Sequence, residues 1–147
     1  MRNPEAVRPW QHVLNPLSGY LRLAEALAGA RELQGGWNFG PALDDARSVR
    51  WIANRLTELW PEQLRWEIDS GAHPHEAHVL ALDSTNAREQ LHWAPTWGLE
   101  EAIARIVAWY LALRDGEDMR AVKLAEIAAF EASARGQPDS GGRGGFV

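Results

Sequence analysis

Only three short runs in this chain have the look of β-strands: Trp37-Asn38-Phe39, residues 65–69 and residues 79–82. The second alternates apolar and charged residues, the pattern of a strand with one face buried, and the third reads as a short buried strand. Helical segments surround them, giving the order helix, strand, helix, strand, strand, helix, helix, helix. This describes a small mixed α/β layer, with strands too few and too short for a self-standing nucleotide-binding sheet. No Gly-x-Gly-x-x-Gly joins a strand to a helix, so the dinucleotide fingerprint is missing as well.

The helices are marked by their ends. Asn15-Pro16 suits a helix start, and Leu17, Leu21, Ala24 and Ala28 recur at three- and four-residue steps, which predicts a helix over residues 16–33 that Gly35-Gly36 closes. Ser48 is placed to cap a second helix whose apolar stripe is Val49, Ile52, Leu56 and Leu59, with Pro61 as its stop. Asp83-Ser84 opens a short helix to about Leu91. Two longer ones follow over residues 99–114 and 119–134. Residues 1–134 are expected to form one folded unit, and the Gly-, Ser- and Arg-rich residues 135–147 a disordered tail.

A net charge of −5, with both signs interspersed, excludes a broad basic face for a nucleic-acid backbone but leaves room for a small anion held by one or two arginines. The absence of cysteine rules out disulfides and thiolate metal sites. No apolar run is long enough to span a membrane and no leader-like h-region opens the chain, so the expectation is a cytoplasmic protein. Eight tryptophans promise large aromatic anchors, most of them in the core, with one or two available to stack on a base or sugar.

Chemistry concentrates in two places. Residues 2–13 hold two arginines, two prolines, a tryptophan and a histidine, which marks a recognition loop. In it, Arg8 between Val7 and Pro9-Trp10 admits two readings. Its guanidinium can fork onto phosphate oxygens, or it can be a surface arginine stacked on Trp10. His12 reads as a structural histidine. The second place is Pro74-His75-Glu76, where a histidine can donate to a phosphate and a carboxylate can accept from sugar hydroxyls. His73, His75 and His78 match no closed zinc spacing, so no metal ligand is assigned. A polar loop packed against its neighbours remains the alternative for this segment.

Five motifs taken together resemble one family. They are Arg2-Asn3-Pro4-x-Ala6-Val7-Arg8-Pro9-Trp10-Gln11-His12-Val13-Leu14, Pro16-Leu17-Ser18-Gly19-Tyr20-Leu21, Trp37-Asn38-Phe39-Gly40-Pro41, Pro74-His75-Glu76-Ala77 and Gly116-x-Asp118-Met119-Arg120. The chain resembles the CDP-glucose 4,6-dehydratases, which are extended short-chain dehydrogenase/reductases, over their C-terminal, substrate-binding part only. The resemblance implies that the fold is the helix-rich domain of such an enzyme without its Rossmann sheet. It also implies that NAD and the Tyr-x-x-x-Lys pair belong to a part outside this chain, since Tyr20 is followed by Ala24 and Tyr110 by Arg114. No catalytic residue and no cofactor site is therefore expected here.

By the same resemblance Arg8 contacts the diphosphate of a CDP-glucose-like ligand, with Trp10, His75 and Glu76 completing the candidate substrate-binding set. The family's Leu-Lys-Leu-Asp, Ser-Lys-Ala and Leu-Gly-Trp appear as Leu80-Ala81-Leu82-Asp83, Thr85-Asn86-Ala87 and Leu91-His92-Trp93, which removes two lysines from the neighbourhood. The expectation is a truncated or split enzyme, inactive alone, that works with a separate Rossmann-domain chain or associates with itself through exposed apolar surface. A non-catalytic nucleotide-sugar binding or docking module is the alternative.

Overall fold

The computed structural model describes residues 1–29, 33, 35–69, 71 and 77–136. The chain order is strand β1 (Val7–Pro9), helix α1 (Leu14–Ala28), a 3-10 turn at Leu43–Asp45, strand β2 (Ala46–Ser48), and helices α2 (Val49–Leu59), α3 (Thr85–Leu91), α4 (Leu99–Arg114) and α5 (Met119–Gly136). Among the described residues the sheet is two-stranded, β1 antiparallel to β2, so the fold is a helix-rich α/β domain without a Rossmann sheet, as expected. None of the described helices is long and apolar enough to cross a membrane.

The strands are where sequence and structure differ most. Trp37-Asn38-Phe39 is irregular, because Phe39 is used as a core plug: 4% exposed, it meets Tyr20 and Trp93 edge to face. Residues 65–69 have no assigned strand, although Met1 reaches across to them, its amino group donating to the Glu67 carbonyl and its own carbonyl accepting from the Asp69 amide. Residues 79–82 contribute only a single parallel bridge, Val79 to Val7, and Val79 is exposed, not buried. The recognition loop holds the strand instead. Val7 faces Ser48, Arg8 faces Arg47 and Pro9 faces Ala46.

Helix ends follow local chemistry where the partners are local. Ser48 caps α2, its Oγ accepting from the Trp51 amide at 3.2 Å. Asn15 is a different case. It lies inside α1, wholly buried, and the cap position falls on Val13. α1 also ends sooner than expected, at Ala28, with Gly29 returning its amide to the Glu25 carbonyl. α5 runs to Gly136, past the expected Ala134; residues 137–147, where the disordered tail is expected, lie outside the described residues.

Two buried clusters organise the rest. Phe39, Ala87, Leu91 and Trp93 join α1 to α3. This contact explains a motif glycine: a Cβ on Gly19 would overlap the Phe39 ring. In the second, Trp97 meets Phe130 edge to face and so joins the Trp93–Trp97 connection to α5, while Leu99, Ile103 and Val107 are the buried face of α4. On α1, by contrast, Leu17 and Leu21 of the expected apolar stripe, with Tyr20 and Leu27 beside them, are each 44% or more exposed.

Candidate functional site

Arg8 sits in the middle of a ribbon held on both edges. On one side β1 pairs with β2. On the other, the Val7 amide donates to the His78 carbonyl at 2.8 Å and the Leu80 amide donates to the Val7 carbonyl at 3.1 Å. The segment leaving Pro74-His75-Glu76 therefore runs directly alongside Arg8. His75 and Glu76 themselves, with His73, lie outside the described residues. Among the described residues no group of His, Asp and Glu is arranged to hold a metal.

The other residues of the loop fix the ribbon's direction. The Arg8 guanidinium, partly buried, donates through Nη1 to the Val7 carbonyl at 2.8 Å. Trp10 donates from its indole Nε1 to the Arg47 carbonyl at 2.9 Å, tying the end of the loop to β2. Gln11 donates to the Phe39 carbonyl at 2.6 Å. Trp10 thus has a strut's role among the described residues.

His12 then carries the chain into the interior. It is 3% exposed, its Nδ1 accepts from the Leu14 amide at 3.2 Å and its Nε2 lies 3.2 Å from Glu126 Oε1. Because Nδ1 must accept, the proton of the neutral ring sits on Nε2 and is donated to Glu126. Lys123 Nζ closes the network on the other carboxylate oxygen at 2.6 Å. Burial, the largest influence, holds the His12 pKa below its ordinary 6.5 against the opposing pull of Glu126; Lys123 and Arg105 lower it further. For Glu126, burial is also the largest influence and raises the pKa, yet Lys123 and His12 together outweigh it and hold the carboxyl below 4.5. The imidazole is structural, as its sequence position suggests.

Asn15 locks the same corner from the other side. Its Oδ1 accepts from the Thr96 and Trp97 amides at 2.9 and 3.2 Å, while its Nδ2 donates to the Trp97 carbonyl at 2.8 Å. Trp97 in turn stacks edge-on against His12 and Phe130 and carries the Arg105 guanidinium 3.9 Å above its ring.

The arrangement can present a fixed cation; among the described residues it shows no nucleophile or acid and base pair aimed at a common point. Among the described residues it offers no glycine-rich turn of the kind that leads a strand into a helix at a dinucleotide: β1 ends at Pro9 and Trp10 follows, and β2 meets α2 at Ser48 with no glycine between. Sequence reasoning missed Arg47 and Glu126. The three-residue alternation of Ala46-Arg47-Ser48 is too short a signal for a strand, and nothing local pairs Glu126 with a histidine 114 positions away.

Comparison with known proteins finds no matching family model. Among curated proteins, CDP-glucose 4,6-dehydratase of Salmonella typhimurium is 47% identical over 132 residues, which is 88% of this chain and 36% of that protein. The resemblance carried by the motifs thus extends across most of the chain, which spans little more than a third of the relative's length.

Proposed function

On the strength of 47% identity to a CDP-glucose 4,6-dehydratase over 88% of the chain, we propose that this is the sugar-nucleotide-binding portion of a dehydratase of that kind. The proposed ligand is a CDP-glucose-like nucleotide sugar. Arg8 contacts its diphosphate, Trp10 holds the Arg8 ribbon in place, and His75 and Glu76 approach the same ligand from the neighbouring segment. A planar guanidinium gives a diphosphate two parallel charge-assisted hydrogen bonds, which a point cation cannot match in geometry. The pairing of Val7 with His78 and Leu80 supports this reading, since it brings the chain that leaves Glu76 beside Arg8.

The redox and dehydration steps are assigned to a separate, NAD-bearing portion, and the chain alone is inactive. The exposed stripe of Leu17, Leu21 and Leu27 on α1 supports such a partner, since an apolar helix face of this size is ordinarily covered. A cytoplasmic setting, in keeping with a cysteine-free chain, belongs to the same proposal. Isothermal titration with CDP-glucose tests it: saturable binding is expected, and no heat either for the chain alone or with a cofactor-domain partner contradicts it. A second reading, a binding module with no catalytic partner, is favoured by the missing Tyr-x-x-x-Lys pair. Turnover on addition of a cofactor-domain chain separates the two.

A further inference from the structure

The C-terminal helix reaches back to the opening loop through Glu126. His12 lies four positions after Arg8, and the chain between them is tied down residue by residue. Arg8 pairs with Arg47 and Pro9 with Ala46, the Trp10 amide donates to the Arg8 carbonyl at 3.0 Å, and the Trp10 and Gln11 side chains donate to the Arg47 and Phe39 carbonyls. His12 closes the series. Its Nε2 meets Glu126 of α5 at 3.2 Å, and Glu126, 8% exposed, takes Lys123 Nζ at 2.6 Å on its other oxygen. Packing alone does not fix the imidazole. Trp97 meets it edge to face, yet His12, Glu126 and Lys123 also line a pocket of about 270 Å³ together with Gln11 and Val13, so the loop has room to shift if its hydrogen bonds let go. Gln11 Oε1 and Trp109 Nε1, on two side chains lining that same pocket, are buried without a partner among the described residues. A buried carboxylate is a costly way to stabilise a core, because apolar side chains of similar volume often do as well. What it adds is a strong, charge-assisted acceptor at a set position.

We infer that Glu126 is a positioning residue for ligand binding: through His12 it holds the end of the loop that carries Arg8, so the C-terminal helix helps set the affinity of a site built near the start of the chain. The inference deepens the role proposed above for Arg8 and rests on it for the identity of the ligand. Lys123 occupies one carboxylate oxygen and leaves Oε1 for His12. Asn15 does not duplicate this tie, since its bonds to Thr96 and Trp97 fix the chain three residues later, inside α1. A guanidinium that forks onto two phosphate oxygens is sensitive to such an anchor, because a displacement of about 1 Å spoils one of the two bonds.

The test uses the full chain and three variants. Glu126→Leu removes the acceptor at similar volume, Glu126→Gln keeps an oxygen for the His12 Nε2–H, and Val107→Ala opens a cavity on α4 without touching the network. At a temperature where all four proteins are folded, Glu126→Leu is expected to bind CDP-glucose about tenfold more weakly than the wild type, the factor for losing one charge-assisted hydrogen bond. Glu126→Gln should recover most of that loss and Val107→Ala show none of it, whatever their melting temperatures. Should Glu126→Leu fail to fold, His12→Leu breaks the same tie from the loop side and carries the same expectation. Hydrogen exchange at the Val7 and Trp10 amides reads the ribbon without ligand: it should quicken in Glu126→Leu and stay near the wild-type rate in the other two. Equal affinity in the wild type and Glu126→Leu, or affinity that merely tracks melting temperature across the set, overturns the inference and leaves the proposed function standing. A wild type that binds no CDP-glucose removes the proposed ligand. Faster exchange confined to Glu126→Leu then still supports the positioning role, and unchanged exchange overturns it.

Discussion

The two parts of the opening segment, Val7 to Trp10 and His12 to Asn15, are built on opposite principles. From His12 to Asn15 every polar side chain is buried and satisfied, by Glu126, the Leu14 amide, and the amides and carbonyl of Thr96 and Trp97. From Val7 to Trp10 the backbone is equally well bonded, yet the side chains include a cation opposed to another cation on the next strand. The first arrangement minimises the energy of the folded chain by itself. The second keeps the backbone of the ribbon fixed around a partly buried guanidinium. The contrast suits the proposed role of Arg8, since a fixed cation is useful for recognition only if its neighbours on the chain hold still.

Substitutions can break this contrast, and the largest effects belong on the buried side. Trp97→Ala removes a 4% exposed ring that touches His12 and Phe130, and a loss of about 3–5 kcal/mol is expected in urea unfolding. Asn15→Ala removes the acceptor that the Thr96 and Trp97 amides share at a fully buried side chain, at a cost of about 2–4 kcal/mol in the same measurement. Gly19→Ala forces a Cβ against Phe39, with about 1–3 kcal/mol lost to overpacking, readable as a shift in the denaturation midpoint.

The pH dependence is smaller and has a definite sign. The unfolded chain takes up a proton on His12 near 6.5, whereas the folded protein resists it until lower pH. Stability from this group is therefore full above about 6.5 and falls as the pH drops from there toward the folded value. Protonating Nδ1 would also remove the acceptor for the Leu14 amide at the start of α1. His12→Asn offers a non-titrating acceptor and should flatten the melting temperature over this range, measured across a pH series. Smallest is Arg8→Ala, which removes the hydrogen bond to the Val7 carbonyl and should cost about 0.5–1.5 kcal/mol while ligand binding weakens. A large loss of stability there would show that Arg8 belongs with the buried half after all.

What could be read from the sequence was whatever is decided within a few residues. Ser48 capping α2, the helices over residues 99–114 and 119 onward, and the apolar repeat of Leu17 and Leu21 on α1 all follow from local spacing, whereas the exposure of that repeat does not. Asn15 shows the limit. Its position before Pro16 is a good local reason to cap a helix, but burial against Thr96 and Trp97, more than eighty positions away, satisfies it better. Phe39 likewise has strand-like neighbours and is captured by Trp93 and Tyr20. The strand in residues 2–13 was hidden by its two prolines, and with it the opposition of Arg8 and Arg47. Arg8 could be singled out from composition, whereas Arg47 needed the register. The candidate partners His75 and Glu76 lie outside the described residues, so their part in the site is carried by the sequence resemblance alone.

The central claim is that this chain binds a nucleotide sugar through a cation presented by the β1–β2 ribbon. Titrating the wild type and Arg8→Ala with CDP-glucose in one buffer, at matched ionic strength, addresses it directly. Saturable one-site binding by the wild type, weakened at least about tenfold in an Arg8→Ala protein that still unfolds cooperatively, is the predicted result. Equal binding by the two proteins, or none by the wild type with or without a cofactor-domain partner, would contradict it.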